Sequence, residues 1–383
     1  MNVLHLPSWF PTPENPTLGN FCLRMIQSLP EDCRSVVLSV CEGEGSKPFF
    51  IREMQEKGFV HVQIVTPTVR SRLLRLCVKW LAYQYGFSYV RKRYFRPDLL
   101  HVHVAWPAGR LALQWRRWRR LPYVLTEHWT IYQPQNAALL RGALKRRIRR
   151  VANGASRIMP VSDDLRRNME SIGIHRPFRV IYNVVDTDLF RLAETAEEGR
   201  KKRMLHVSTL RDEAKNFSGI LRTLVRLRQE RDDFELHVIH DYEAPVFQAF
   251  IKDNHLEDCV FLHGKKTSAE VAEAYALSDF LLLFSRFENL PCVIVEAMAS
   301  GLPVLSTDVG GIAEILSPER GLLIASEDEE ALLQGMRQLL DTCHTYDKEA
   351  IRAYAVRTFS PAVIGRQLAE VYAEVLGEGS LRG

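Results

Sequence analysis

The sequence predicts an α/β protein of two domains, each built on a parallel sheet. Short runs rich in β-branched residues alternate with segments of helical periodicity along the whole chain, as in parallel sheets covered by helices. A length of 383 residues exceeds what one hydrophobic core usually holds, which favours two domains. The charges divide the chain as well, because residues 1–190 hold 29 Lys+Arg against 14 Asp+Glu and the remainder holds 22 against 32.

The predicted elements fall into two sets, separated by a polar, acidic stretch at Leu192–Lys202 that we interpret as an interdomain linker. The N-terminal domain, residues 1–192, has predicted strands at Asn2–Leu6, Ser35–Ser39, Val60–Val65, Leu99–His103, Tyr123–Thr126, Arg157–Val161 and Val180–Tyr182. The C-terminal domain, residues 203–360, has predicted strands at Met204–Val207, Glu235–Ile239, Val260–Leu262, Asp279–Leu283, Pro303–Ser306 and Gly321–Leu323. Predicted helices include Ser218–Glu230, Ser268–Leu277 and Glu329–Thr342, and a last helix covers about residues 361–377.

Composition indicates a globular protein of the cytoplasm. Apolar residues make up 46% and charged residues 25% of the chain, which is typical of soluble proteins. No segment reaches about 18 uninterrupted apolar residues, which argues against a membrane-spanning helix. The segment Met1–Leu6 lacks the basic region of an export signal and is interpreted as a core strand. The seven cysteines, an odd number without metal-ligand spacing, suit free thiols in a reducing cytosol.

Two glutamates eight positions apart, Glu288 and Glu296, flank the start of a predicted helix. The helix should begin near Pro291, because proline is tolerated at the first helical position, and it should stop before Gly301. Glu288 then lies in the preceding loop, and Glu296 lies roughly 8 Å along the axis at 1.5 Å per residue.

The free backbone amides of Asn289 and Leu290 lie between the two carboxylates, at the positive end of the helix dipole. Such an end is a ready anion site. Carboxylates on both sides of it suit a diphosphate with a hydroxylated group at each end, which is the shape of a nucleotide-sugar. Isolated glutamates are more often solvated surface groups, but a downstream Gly310-Gly311 pair followed by Glu314 favours a binding site here.

A series of motifs carries a family resemblance. They are Phe261–Gly264, Ser285–Pro303 and Gly310–Glu314 in the second half, and Trp9–Pro11, Gly19–Phe21, His101–His103, Thr126–His128, Pro160–Ser162 and Ile181–Asp186 in the first, followed by a last helix that contains Tyr372. In this order they resemble the retaining glycosyltransferases of family 4, also called glycosyl transferases group 1. The resemblance covers nearly the whole chain and is most specific between Val260 and Ile324.

The resemblance implies the GT-B fold, in which two Rossmann-like domains with parallel sheets face a central cleft and the last helix crosses back to the first domain. It also implies a metal-independent transfer of sugar from a UDP- or GDP-linked donor to a glycan or lipid-linked acceptor, without a further cofactor. The product would be a cell-surface polysaccharide such as lipopolysaccharide or capsule. Glu288 would hold hydroxyls of the donor sugar and Glu296 the ribose diol. The leaving phosphate would take the acceptor proton in a front-face substitution.

Lys215 follows a predicted strand and precedes a helix that Asn216 can cap. A lysine there can stabilise the negative charge that grows on a diphosphate leaving group, although a surface lysine is the simpler interpretation. Many family members have an arginine after a glycine where this chain has Ser208-Thr209, so Arg211, hydroxyls or amides would have to supply any second contact to the diphosphate.

Two residues of the first half are candidates through the resemblance. Gly19 ends a proline-rich loop before a predicted helix, where a bare backbone lets phosphate or sugar approach the amides; an ordinary turn glycine is the alternative. His128 would lie beside the transferred sugar, where an imidazole can donate or accept a hydrogen bond; a structural histidine is the alternative. His101 and His103 alternate on one strand and give weak evidence for a site, with no recognisable metal-ligand set.

Basic residues concentrate in residues 51–150, with 21 Lys+Arg against 4 Asp+Glu. The arrays are Arg72, Arg75 and Lys79 on one helical face, Arg116–Arg120, and Lys145–Arg150, each with interspersed apolar residues. Such helices can lie on anionic lipid, so we expect peripheral contact with the inner face of the plasma membrane. Solvated helix faces are the alternative, and no motif for nucleic-acid recognition accompanies the charge. Two further functions stay open at this point: a nucleotide-sugar epimerase of the same fold, and a non-catalytic basic membrane-binding protein.

Overall fold

The computed structural model describes residues 1–12, 18–43, 49–192, 199–241 and 244–380, with side chains to residue 377. Part of the predicted linker, residues 193–198, lies outside the described residues. The strands are β1 Asn2–Pro7, β2 Arg34–Glu42, β3 Phe50–Glu56, β4 Phe59–Thr66, β5 Leu99–His103, β6 Tyr123–Glu127, β7 Arg157–Pro160, β8 Lys202–Ser208, β9 Phe234–His240, β10 Val260–Leu262, β11 Phe280–Leu282, β12 Val304–Thr307 and β13 Gly321–Ile324.

The strands form two sheets, one in each half of the chain. The N-terminal sheet has the order β3-β4-β2-β1-β5-β6-β7, and the C-terminal sheet has the order β10-β9-β8-β11-β12-β13. All pairings are parallel except that of β3 with β4. The predicted α/β class with two parallel sheets is therefore confirmed.

In the N-terminal half one strand was missed and one strand prediction was wrong. The edge strand β3 escaped prediction because its exposed residues do not alternate between apolar and polar. The predicted strand Val180–Tyr182 forms no ladder, although the N–H groups of Arg179 and Ile181 donate to the β7 carbonyls of Ile158 and Pro160 at 2.9 and 3.1 Å. Because Pro160 has no N–H group, β7 cannot return the bonds that would extend the pairing.

Helices connect the strands and pack against both sheets. They are α1 Asn20–Gln27, α2 Arg72–Arg93, α3 Gly109–Arg119, α4 Gly142–Ala152, α5 Asp163–Ser171, α6 Asp212–Lys215, α7 Phe217–Arg228, α8 Pro245–Asp253, α9 Ser268–Ala276, α10 Cys292–Ala299, α11 Glu329–Thr342, α12 Lys348–Phe359 and α13 Pro361–Ser380. The helix after the glutamate motif begins one residue later than predicted, because Pro291 is its extended N-cap residue.

The predicted side-chain cap by Asn216 is absent from the described structure. Asn216 adopts a left-handed conformation with φ of 48° between α6 and α7. Its Oδ1 atom accepts a hydrogen bond from Arg286 at 2.7 Å, so it is not available to the helix. The carboxylate of Asp212 accepts from the Ser218 N–H at 2.8 Å instead and occupies the first turn of α7.

The last helix returns to the first domain. α13 packs against α1, and the hydroxyl of Tyr372 lies 2.6 Å from Nδ1 of the buried His101 on β5. At the surface, Arg179 pairs with Glu370 and Glu374 of α13. No helix among the described residues is both long and apolar enough to cross a bilayer.

The carboxyl ends of the two sheets face a common cleft, which polar contacts bridge from both sides. Arg24 of α1 donates to Glu296 of α10 at 2.6 Å. Glu314, which follows the glycine pair, accepts hydrogen bonds at 2.8 Å from the N–H groups of Asp163 and Asp164. These are the first two residues of α5, so a carboxylate of the second domain stabilises the positive end of a helix in the first.

Candidate active site

The loop between β11 and α10 has a conformation fixed by close backbone contacts. The Ser285 hydroxyl donates to Oε1 of Glu288 at 2.9 Å, and the Ser285 carbonyl accepts from Thr307 at 2.7 Å. Gly310 has φ of +60°, and a Cβ atom there would lie 2.2 Å from the Glu288 carbonyl oxygen. Only glycine fits that position, which explains why the sequence has a glycine there.

The first domain clamps the same loop from the other side. Nε2 of Gln133 donates at 2.9 Å to both the Glu288 carbonyl and Oδ1 of Asn289. The amide of Asn289 donates to the His128 carbonyl at 2.7 Å, and the Asn183 amide donates to the Leu290 carbonyl at 2.8 Å. The Asn289 side chain thus holds the domains together, and the Leu290 side chain is buried in the core.

The backbone amides of Asn289 and Leu290 remain available at the entry to α10. Within the part of the chain that the structure describes, neither N–H group donates to a protein acceptor. Orphan amides at a helix start bind anions well. Anion binding at this helix start stays a prediction.

Glu288 and Lys215 form an ion pair between two cavities of the cleft. The Lys215 ammonium contacts Oε1 of Glu288, and both side chains are largely buried. A cavity of about 400 Å³ on one side is lined by both residues and by Trp129 and Thr130 of the first domain. A cavity of about 290 Å³ on the other side is lined by the same pair together with Cys292 and residues of the second domain. A ligand spanning both cavities would cross this ion pair.

Glu296 forms an ion pair across the cleft with Arg24, a contact that was not predicted from the sequence. The Arg24 guanidinium lies 2.6 Å from Oε1, and the Tyr275 hydroxyl lies 3.4 Å from Oε2. Burial alone would lower the pKa of Arg24, but Glu296, Cys292 and Asp186 together outweigh it, and the pKa is raised. A ribose diol can bind this carboxylate only by joining or displacing Arg24.

His128 lies at the carboxyl end of β6, with its ring against the ring of Phe21 at 4.2 Å between centroids. Within the described residues, both of its ring nitrogens and Oδ1 of the nearby Asn183 are buried and make no hydrogen bond of normal geometry. Burial lowers the pKa of His128, and the nearby His103 lowers it further, so the ring is neutral at pH 7. A neutral imidazole can accept or donate one hydrogen bond, and a contact between His128 and a ligand hydroxyl stays a prediction.

Glu127 fixes the backbone beside His128, and sequence reasoning gave it no role. Its buried carboxylate accepts hydrogen bonds from the N–H groups of Ala105, His128 and Trp129 and from the Tyr132 hydroxyl, at 2.8 to 3.0 Å. Burial raises the pKa of Glu127, although these bonds favour the charged form. We interpret Glu127 as a residue that positions His128.

Gly19 is the N-cap residue of α1, with φ of +72°. A Cβ atom there would lie 2.5 Å from the Trp9 carbonyl oxygen. The close approach is to the protein's own backbone, which is enough to require glycine. A contact between Gly19 and a ligand stays a prediction.

The histidines of β1 and β5 form a buried hydrogen-bonded network. His5 contacts His103 and Ser35 at 3.2 Å, and His101 contacts Tyr372 and Thr126 at 2.6 Å. These bonds use both ring nitrogens of His5 and His101, so the group fits a structural network better than a metal site.

A second cluster, Cys22, His103 and His128, has ligand atoms within 4.8 Å of one another. Burial raises the pKa of the Cys22 thiol well above its usual value, and a protonated thiol is a poor metal ligand.

Fold and site together define a class of protein: two α/β domains whose parallel sheets end at a shared cleft, which is where such folds bind their ligands. The family models for Glycosyltransferase Family 4 and for Glycosyl transferases group 1 match residues 18–189 and 201–342 respectively. The chain belongs to family 4 of the glycosyltransferases with the GT-B fold, and it is a glycosyltransferase. The predicted family and fold are thereby confirmed.

Relatives and solved structures agree with this assignment. The chain is 27% identical over 294 residues to the N-acetyl-alpha-D-glucosaminyl L-malate synthase of Bacillus anthracis, covering 73% of this chain and 75% of that protein. It is 26% identical to the lipopolysaccharide core biosynthesis mannosyltransferase LpsB of Rhizobium meliloti (strain 1021), covering 64% of this chain and 73% of that protein.

Two solved structures share the fold over almost their whole length. Sucrose-phosphate synthase from Thermosynechococcus elongatus superposes with a TM-score of 0.79 at 16% identity, covering 99% of this chain and all of that one. HepE from Anabaena, solved with UDP-glucose, superposes with a TM-score of 0.73 at 18% identity, covering 98% of this chain and all of that one.

Proposed function

We propose that the protein is a retaining, metal-independent glycosyltransferase that moves a sugar from a nucleotide-sugar to a glycan or lipid-linked acceptor in the synthesis of a cell-surface polysaccharide. The observation that carries this proposal is the Lys215–Glu288 ion pair beside the free amides of Asn289 and Leu290 in the interdomain cleft. A HepE structure contains UDP-glucose, and the LpsB relative acts in lipopolysaccharide synthesis.

The donor would bind with its diphosphate at the α10 entry. The amides of Asn289 and Leu290 and the Lys215 ammonium would contact the phosphate oxygens, where negative charge grows as the bond to the sugar breaks. Preorganised donors in a largely buried site stabilise such charge without reorganisation. The cavity beside Cys292 would then hold the nucleoside, and the cavity beside Trp129 the sugar and the acceptor hydroxyl.

The two acids would have different roles. Glu288 is held by Lys215 and Ser285, and its remaining lone pairs would orient hydroxyls of the transferred sugar. Glu296 would bind the ribose diol in competition with Arg24. In the transfer step, the bond from the anomeric carbon to the phosphate oxygen breaks, the acceptor oxygen bonds to that carbon on the same face, and the leaving phosphate takes the acceptor proton.

A donor-only hydrolysis assay tests this proposal. Purified protein is incubated with UDP-, GDP- and ADP-sugars, with and without EDTA, and the released sugar is followed by proton NMR. We expect slow release of one nucleoside diphosphate, unaffected by EDTA, with the α anomer appearing first from an α-linked donor. Release that depends on a divalent metal, or first appearance of the β anomer, would contradict the proposal.

A further inference from the structure

The N-terminal domain contains an apolar groove, separate from the two cavities at the ion pair, between the carboxyl ends of β1 and β2 and the helices α2 and α3. Its volume is about 910 Å³, within the range of small-molecule sites. Its walls are mostly apolar, with Phe10, Leu76, Trp80, Leu111 and Trp118 among the lining residues.

One wall of the groove is the first half of α2, whose apolar side chains are largely exposed. Among the described residues of this helix, the buried ones begin only at Ala82. Leu73, Leu76 and Trp80, at spacings of three and four, are 77%, 51% and 36% exposed. Opposite them on α3, Trp118 is 68% exposed. Large apolar side chains exposed together usually mark a binding surface.

The charged residues known to line the groove are basic. Among the residues that the structure describes, its lining includes Lys79 and Arg110 and no acidic side chain. Glu42, next to the groove, pairs with Lys79 at 2.9 Å and with Arg75 at 3.6 Å, whereas Arg110 is exposed at the groove itself. An occupant with a long apolar part and an anionic head matches this combination.

The groove adjoins the cleft through a single loop. Phe10 lines the groove, and its neighbour Trp9 packs edge-on against Trp129 at 5.5 Å between ring centroids. Trp129 in turn lines the cavity that contains Lys215 and Glu288. A molecule lying in the groove can therefore present its head group across this loop to the cleft.

We propose that this groove binds the hydrocarbon chain of the acceptor, and that the acceptor is a lipid-linked phosphate. The inference rests on the proposed function and narrows its acceptor from glycan or lipid-linked to lipid-linked. Arg110 meets the lipid phosphate, Leu73, Leu76, Trp80 and Trp118 contact the chain, and the acceptor sugar extends past Trp9 into the cleft.

Binding of soluble alkyl phosphates to the full-length protein tests the proposal without membranes. Octyl phosphate, dodecyl phosphate and inorganic phosphate are titrated below their micelle concentrations, with tryptophan fluorescence and calorimetry as readouts. Because each buried methylene strengthens binding by up to about four-fold, we expect dodecyl phosphate to bind more than about ten-fold tighter than octyl phosphate. Equal affinities would overturn the proposal.

Two leucines of α2 provide a matched pair of variants. Leu76 lines the groove and is 51% exposed, whereas Leu74, two residues earlier, is 54% exposed and does not line it. Leu76→Glu should weaken dodecyl phosphate binding at least about ten-fold, and Leu74→Glu should change it less than about two-fold. Equal losses in both variants, or self-association of the wild type that Leu76→Glu abolishes, would overturn the assignment.

Measuring alkyl phosphate binding and nucleotide-sugar hydrolysis on the same wild-type protein distinguishes failure of the groove proposal from failure of the proposed function. Wild type that hydrolyses a nucleotide-sugar but binds no dodecyl phosphate would refute the groove alone. Wild type that shows chain-length-dependent binding but neither binds nor hydrolyses any nucleotide-sugar would refute the proposed function and, with it, the acceptor role of the groove.

Discussion

The loop before α10 and the first half of α2 differ in how strongly contacts with the rest of the protein fix their conformation. The loop is buried, and serine, glycine and two side chains of the other domain fix its backbone. The first half of α2 exposes its apolar residues, and its described contacts to the rest of the protein include the ion pairs of Arg75 and Lys79 with Glu42. A site for an invariant part of a ligand can be rigid, whereas a surface for a long, variable chain needs only apolar area. The two domains are therefore suited to recognising their ligands by different physical means.

The largest effect should come from the glycine that supports the rigid loop. Gly310→Ala places a Cβ atom against the Glu288 carbonyl at a positive φ. We expect a stability loss of about 2 to 4 kcal/mol and, because the loop shifts, a fall of about 100-fold or more in donor turnover. Thermal unfolding and the hydrolysis assay measure both.

Gly58 is the control for this substitution. It also has a positive φ, +84°, but a Cβ atom added there would meet nothing within 4 Å beyond its own chain neighbours. Gly58→Ala should cost only the backbone strain of about 1 kcal/mol and leave turnover unchanged. Similar losses in the two variants would mean that the contact with Glu288 is not what matters.

Removing the cation at the α10 entry should affect chemistry without unfolding the protein. Lys215→Met should lower donor turnover by about 100- to 1,000-fold, because a contact to the leaving group is lost. Lys215→Arg should recover part of it. Lys252→Met, an exposed lysine of α8, is the matched control. Turnover within about three-fold of wild type in Lys215→Met would exclude a role for this lysine in the reaction.

The ion pair between Arg24 of the first domain and Glu296 of α10 can be tested by a double-mutant cycle. Arg24→Met, Glu296→Gln and the double variant are compared for nucleotide affinity and for stability. We expect a coupling of about 1 to 3 kcal/mol in stability, since the pair is largely buried. If the ribose diol competes for Glu296, Arg24→Met should bind nucleotide more tightly than wild type and Glu296→Gln more weakly. Unchanged affinity in both would remove Glu296 from the donor site.

The strands and helices could be predicted because their signals are local. Leu99–His103, Val260–Leu262 and Glu329–Thr342 have the predicted bounds, since apolar runs and a capping Asp328 define them. Only part of the candidate site could be predicted from such local signals. The loop amides follow from the sequence pattern, but Arg24 meets Glu296 across 272 positions of the chain. Gln133 likewise reaches the loop only through the fold, and no pattern near it indicates that contact.

Acid should destabilise the N-terminal domain more than the C-terminal domain. We expect this effect to be smaller than those of the substitutions. Burial lowers the pKa of His5, His61 (to about 4), His101, His103 (to about 3) and His128 in the N-terminal half. In the second domain it lowers the pKa of the fully buried His206 to about 4 and also that of the half-buried His237 and the exposed His263. The unfolded chain takes up protons near pH 6.5 while the folded one does not. Stability is therefore complete above about pH 6.5 and decreases as the pH falls towards the folded pKa values.

Each such histidine contributes a slope of up to about 1.4 kcal/mol per pH unit in that window. Hydrogen exchange at pH 7 and pH 5 should show that the amides of β1, β5 and β6 lose more protection than those of β8 and β11. Equal losses in both domains would mean that the histidine network does not determine the difference.

The proposed function requires that the diphosphate of a nucleoside diphosphate binds to the backbone amides of Asn289 and Leu290 at the start of α10. With the protein labelled at asparagine and leucine nitrogen, amide NMR during titration with UDP, GDP and ADP reports on Asn289 and Leu290 directly. We expect one nucleotide to shift both signals at saturation and Lys215→Met to weaken the titration. A nucleotide that binds while both signals stay in place would contradict the claim.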